Sequence, residues 1–151
     1  MAATTPAAFD PAPKHIGSSF TVIAGGTILA GQLVCHAATG VDWTVIAMDT
    51  NVIATTPIGI AAEGATTGDY FTVYGPGSIV KVCEGAGNAL DAGDWVVPSA
   101  AAGCVDVMDP AIGTHSATVT ASYVGYCLED IAKNSTGYIM FCPGPMETAS
   151  S

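Results

Sequence analysis

Ile28-Leu29-Ala30-Gly31-Gln32-Leu33-Val34 returns later in the chain as Leu90-Asp91-Ala92-Gly93-Asp94-Trp95-Val96. A second stretch behaves alike: Ile58-Gly59-Ile60-Ala61-Ala62-Glu63 returns as Val124-Gly125-Tyr126-Cys127-Leu128-Glu129. The two motifs keep their order, at offsets of roughly sixty to seventy residues, so one structural unit occurs twice. Each copy joins a short apolar run to a Gly-Asp-type turn, the signature of short strands linked by tight turns. At Gly31, Gly68 and Gly93 a residue without Cβ can take the positive φ such turns require. Asp69 and Asp94 can then accept bonds from nearby amides, and Gln32 is expected to do so less well.

Working outward from these motifs, the rest of the chain is also strand and turn. Residues 18–24 form an apolar strand ended by Gly25-Gly26, and Tyr70-Phe71-Thr72-Val73-Tyr74 and Ile79-Val80-Lys81-Val82-Cys83 alternate with period two. Trp43, Val45 and Ala47 alternate with Asp42, Thr44 and Ile46, placing Trp43 on the side of Val45. Residues 52–54 read as a brief helical turn or a strand, residues 128–132 as one helical turn, and Pro143-Gly144-Pro145 is expected to end the fold. The fold class is therefore all-β. Residues 1–19, with Pro6, Pro11 and Pro13, read as an extended arm. Residues 20–142 form the β domain, in halves of about 20–77 and 78–142, and 143–151 is a tail.

A chain of 151 residues suits one domain. Half its residues are hydrophobic and 11% are charged, against about a quarter in ordinary domains. So few charges imply that other subunits cover part of the surface. Thirteen acids stand against Lys14, Lys81 and Lys133, with no arginine. Nucleic acid is excluded as a partner because no basic patch can form, and an anionic membrane surface is disfavoured by the same repulsion. Residues 15–41 carry no formal charge, yet their glycines and missing basic flanks favour strands over a membrane helix. The first residues have neither the basic start nor the apolar core of a signal peptide.

Chemistry has little to work with. Five cysteines at odd count and wide spacing argue against a disulfide framework or zinc site, and are expected as small buried residues in a reduced compartment. Single acids per turn do not make a calcium site, so no metal and no cofactor are expected. His15 beside the Pro-rich arm and His115 in a Gly-Thr-Ser loop are expected in solvent; Cys35 and His36 are strand neighbours that point to opposite faces. With no nucleophile elbow, phosphate loop or His-x-x-x-His, no catalysis is expected. Asn134-Ser135-Thr136 marks a turn rather than a glycosylation site. Trp43, Trp95, Tyr70, Phe71 and Tyr74 are expected to fill a core or subunit interface, the other reading being a carbohydrate platform.

The order of Ala30-Gly31-Gln32, Ile58-Gly59 with Glu63, Thr67-Gly68-Asp69, Ala92-Gly93-Asp94 and Val124-Gly125 with Leu128-Glu129 resembles the capsid cement, or head decoration, proteins of tailed bacteriophages. The resemblance spans about residues 20–142, and the first turn departs from it by carrying Gly31-Gln32 where Gly-Asp is usual. It implies a compact β-barrel or sandwich-like, β-tulip-like domain bound outside an icosahedral shell. It implies a homotrimer that bridges major capsid protein subunits, made in the host cytoplasm and carried on the outer capsid surface. Capsid binding by a terminal segment makes Thr4, Thr5, Pro6, Phe9, Pro11, Pro13, His15, Ile16 and Phe20 the candidate contacts. The arm is expected to be dispensable for folding of the β domain. A carbohydrate-binding or adhesive module of a tail fibre or cell surface is the alternative.

Overall fold

The turn motifs that dominate the sequence join ten strands in the computed structural model, which describes residues 7–37, 42–49, 56–108 and 122–145. The first five are β1 (Ser19–Ala24), β2 (Leu33–His36), β3 (Thr44–Ala47), β4 (Pro57–Ala61) and β5 (Tyr70–Tyr74). The second five are β6 (Ile79–Cys83), β7 (Trp95–Pro98), β8 (Val105–Val107), β9 (Ser122–Cys127) and β10 (Thr136–Pro145). No helix occurs among the described residues, so residues 128–132 form no helical turn; residues 52–54 lie outside them.

β1 to β5 close a barrel in the order β1-β3-β2-β4-β5, and β6 to β10 form a sheet in the order β6-β10-β9-β7-β8. Replacing each strand of the barrel by its counterpart in the second half reproduces every neighbour except the closing pair β1-β3, whose counterparts meet only at the bridge Glu84↔Val105. The duplication extends to individual hydrogen bonds. Gly31 N–H donates to Ala61 O at 2.8 Å and Ala61 N–H to Gln32 O at 2.9 Å; Gly93 to Cys127 and Cys127 to Asp94 do likewise, both at 2.8 Å. The bridge Ile28↔Ala65 recurs as Leu90↔Ile131.

The turns follow from side-chain chemistry. Asp94 Oδ2 accepts from Asp91 N–H at 2.9 Å, and Asp69 Oδ2 from Thr66 N–H at 3.0 Å. Gln32 Oε1 accepts from Leu29 N–H at 2.9 Å, so the longer side chain makes the same turn as well as aspartate does. Its amide also reaches across to Ala102 O in the second unit. Asn134 takes φ 55° where the first unit has Gly68 at φ 90°, a position asparagine tolerates. This confirms a turn at Asn134-Ser135-Thr136, with Ser135 N–H donating to Ala132 O at 3.1 Å.

The barrel interior holds Val22, Ala24, Ile28, Val34, Val45, Ala61, Phe71 and Val73. A larger cluster joins Leu33, Cys35, Met48 and Ile60 of the first unit to Val80, Val96, Val124, Ile139 and Phe141 of the second. Each such side chain contributes about 1.5–3 kcal/mol by leaving water, so the units share one core. Gly103 (φ 80°) accepts Leu33 N–H and donates to Met48 O, at 2.9 and 2.8 Å, and stitches the units together.

Two further expectations change. Trp43 does not face inward with Val45: it takes φ 58° before β3 and is 62% exposed, because the strand starts one residue later. Pro143 and Gly144 do not end the fold but continue β10 across an irregularity between Phe141 and Gly144, a place where the ladder needs no donor from proline.

Candidate functional site

The N-terminal segment contains most of the candidate contact residues, and from Ala7 onward it lies on its own domain. Lys81 N–H donates to Pro11 O at 2.8 Å, Lys14 N–H to Ile79 O at 2.9 Å, and Ile79 N–H to His15 O at 2.8 Å. Those bonds add the segment to the open side of β6, the strand-addition geometry expected toward a capsid partner but made here within the chain. Pro11 and Pro13 are tolerated because an edge leaves some N–H positions unused. Tyr138 Oη donates to Ala12 O at 2.8 Å, and Lys14 Nζ sits 4.3 Å from the centre of the Tyr138 ring. Pro11 is buried, Pro13 and Phe20 are half-buried, and His15 and Ile16 face solvent. Thr4, Thr5 and Pro6 lie outside the described residues.

Phe9 ties this segment to both units. Its N–H donates to Ala30 O at 3.2 Å. Its ring lies on Gly31 so closely that a Cβ there would come within 2.5 Å of Phe9 Cζ. The ring also packs on Cys83, Ala101 and Cys104. Deleting residues 1–19 would therefore uncover β6 and remove the first residue of β1; the arm is not dispensable for the observed packing.

Cys83 and Cys104 form a disulfide with Cα atoms 4.9 Å apart. This overturns the reading of all five cysteines as unlinked, although Cys35 and Cys127 are buried thiols as expected. Cysteine spacing cannot report a pair that only the fold brings together, but the repeat could have: Cys83 and Cys104 are the counterparts of Ile23 and Thr44, which pair across β1 and β3. Next to the disulfide, Glu84 is 2% exposed. Its carboxylate accepts from Ala86, Gly87, Asn88 and Asn134 N–H at 2.6, 3.2, 3.1 and 2.7 Å. Four amides satisfy the charge, so the group shapes a loop rather than awaiting a ligand. A cleft of about 270 Å³ lies between Ala7, Ala8 and Phe9 on one side and the disulfide, Glu84 and Ser135 on the other.

The aromatic residues divide. Phe71 fills the barrel, while Tyr70 is 73% exposed, so these aromatics do not all lie in this chain's own core. Trp95, Tyr126 and Met140 form a row of register partners across β7, β9 and β10. The Trp95 ring stands 4.9 Å from Tyr123 and 5.3 Å from Tyr126, and Trp95 is 40% exposed.

Cys35 is buried and its neighbour His36 exposed, so strand geometry separates them. Burial, then the charges of Asp94, Asp130 and Asp91, push the Cys127 thiol up to about 11. Burial raises Cys142 as well; neither has the depressed pKa of a reactive thiolate. The backbone and hydroxyl bonds from Thr66 hold Asp69 below its usual value. His115 lies outside the described residues, and among those no three His, Cys, Asp or Glu side chains gather as a metal site. Among them too, no helix is long and apolar enough to cross a membrane.

No protein-family model and no curated protein sequence matches the chain. Among solved structures, it is similar to the N base of head fiber gp8.5 in bacteriophage phi29, with TM-score 0.57 and 20% identity. The match covers 86% of this chain and 98% of that one. At this identity the likeness establishes a shared fold.

Proposed function

We infer that this chain is a structural protein of a bacteriophage particle, held on the outer surface of the head as a homotrimer that bridges major capsid protein subunits. The observation that carries the reading is the fold shared with a head-fibre base over nearly the whole of both chains. Three features of the chain support it. Charge is scarce at 11% of residues, which suits extensive burial between subunits. Arginine is absent, which suits a protein facing away from DNA. The geometry offers backbone bonding and packing surfaces in place of activated side chains, and the reading includes no catalysis, cofactor, nucleic acid or membrane. Repetition over a lattice strengthens weak individual contacts.

Because residues 7–18 are engaged with their own domain, the shell contacts fall to Thr4, Thr5 and Pro6 and to the outward His15 and Ile16. Cryo-electron microscopy of the assembled particle tests the assignment. Density for trimers outside the shell, between neighbouring capsid subunits, is expected; density inside the shell, or none, overturns it. Removing residues 1–6 should lower occupancy on shells in co-sedimentation without unfolding the domain, and unchanged occupancy refutes the terminal attachment.

The row of Trp95, Tyr126 and Met140 with Tyr123 beside it favours a second reading, a saccharide platform, since sugar rings stack on exposed aromatic faces. Binding on a glycan array that is lost in Trp95→Ala would support that reading over the first.

A further inference from the structure

The disulfide lies beneath the N-terminal segment. Cys83 and Cys104 are 3% and 0% exposed, and the Phe9 ring closes over them with Ala101 at its side. Ala7 and Ala8 wall the cleft that leads to the bond. A reductant must reach a sulfur to attack it, so access governs the rate of exchange. The cover is itself lightly held. Between residues 7 and 13 its long-range hydrogen bonds run from Phe9 to Ala30, from Lys81 to Pro11 and from Tyr138 to Ala12. An edge segment with few bonds opens long before the core does.

We propose that residues 7–13 are a lid over a redox-sensitive clasp: the seated segment shields the Cys83–Cys104 bond, and breaking that bond unseats the segment. Such coupling is reciprocal by linkage. The inference rests on the fold alone and does not depend on the proposed place in a particle. In forming the clasp, the two thiols give up two protons and two electrons to a small-molecule disulfide, which leaves as two thiols. In breaking it, a dithiol's thiolate bonds to one cysteine sulfur and the other leaves as a thiolate that takes up a proton. The dithiol's second sulfur then releases the first cysteine as a thiol and closes its own disulfide. Once unbonded, the two sulfurs separate to van der Waals distance and disturb the floor on which Phe9 rests. The parallel bridge Glu84↔Val105 and the Glu84 carboxylate remain, so the unit keeps its fold while its lid loosens.

The test uses the oxidised full chain treated with dithiothreitol, with free thiols alkylated and mapped by mass spectrometry. Phe9→Ala should speed reduction of the Cys83–Cys104 bond by about tenfold or more, since truncating a packed ring weakens the closed state. Tyr138→Phe keeps its ring but drops the bond to Ala12, and should speed reduction by a smaller factor; it serves if Phe9→Ala fails to fold. Trypsin should cut after Lys14 faster in the reduced than in the oxidised wild-type chain. Equal reduction rates in wild type and the folded variants, equal cutting in both redox states, or free thiols at both positions in air-oxidised protein would each overturn the proposal.

Discussion

The barrel and the second sheet carry one plan and finish it by different means. In the first unit, β1 and β3 pair in parallel at Ile23↔Thr44 and Ala24↔Val45, and Gly25 N–H donates to Val45 O at 2.8 Å. The second unit arrives at the same place with the single bridge Glu84↔Val105 and a longer bond, Gly85 to Val105 at 3.2 Å. There Cys83 and Cys104 are joined covalently, and the Glu84 carboxylate gathers four amides around the gap. The open side of β6 is covered by residues 11–15 rather than by another strand of its own unit. Duplicated sequence thus repeats strand order easily, whereas closure is free to diverge, because it depends on contacts between positions far apart in each copy.

Four sets of substitutions break or sharpen that comparison, beginning with the largest effect. Both units place a glycine where two strands crowd: a Cβ on Gly59 would lie 2.6 Å from Tyr74 O, and one on Gly125 would overlap Met140 O more severely. Because a carbonyl in a ladder cannot step aside, Gly125→Ala should cost about 3 kcal/mol or more, and Gly59→Ala somewhat less. Urea unfolding measures both, and a milder effect at Gly125 would mean that β9 and β10 tolerate separation.

Next comes the clasp. Cys83→Ala with Cys104→Ala should lower stability by about 3 kcal/mol, the loop-closure value for a bond of this span. A loss near zero in the same urea assay would show that the bridge Glu84↔Val105 suffices for closure. Glu84→Gln leaves amides facing a nitrogen that cannot accept, and should cost about 2 kcal/mol. Loss of protection from hydrogen exchange at Ala86, Gly87, Asn88 and Asn134 is the matching local readout.

The smallest contrast concerns a repeated surface bond. Glu129 Oε1 accepts from Tyr138 N–H at 2.9 Å, and its counterpart Glu63 Oε1 from Thr72 N–H at 3.4 Å. Glu129→Ala should therefore cost up to about 1 kcal/mol and Glu63→Ala less, a ranking that thermal melts can reverse. Cys127 adds a pH signature: its thiol is raised from 9.0 to about 11. A raised value favours the protonated folded state, so this contribution is complete below about pH 9 and fades as pH climbs toward 11. Alkylation of Cys127 in the folded chain should accordingly stay slow at pH 9, as mass spectrometry can follow.

Much of the architecture was legible because its causes are local. Glycines at 31, 68 and 93 with a side-chain acceptor one residue later define turns whatever surrounds them. The order of the two motifs foretold two related units, and alternation in residues 70–74 and 79–83 located β5 and β6 correctly. Trp43 was misplaced because alternation says nothing of where a strand begins. The N-terminal prolines correctly announced an extended segment, but extension does not name the edge that will receive it. Phe9, chosen as a contact for another protein, packs on Gly31 and the disulfide of its own chain.

The sequence by itself determined the duplicated all-β plan and its turns, since φ preference and side-chain reach act within a few residues. Only the tertiary structure decided which cysteines join, which aromatic rings stay in water and where the first residues lie. Those outcomes follow from distances between chain segments dozens of residues apart, set only when the barrel closes and the second sheet packs against it.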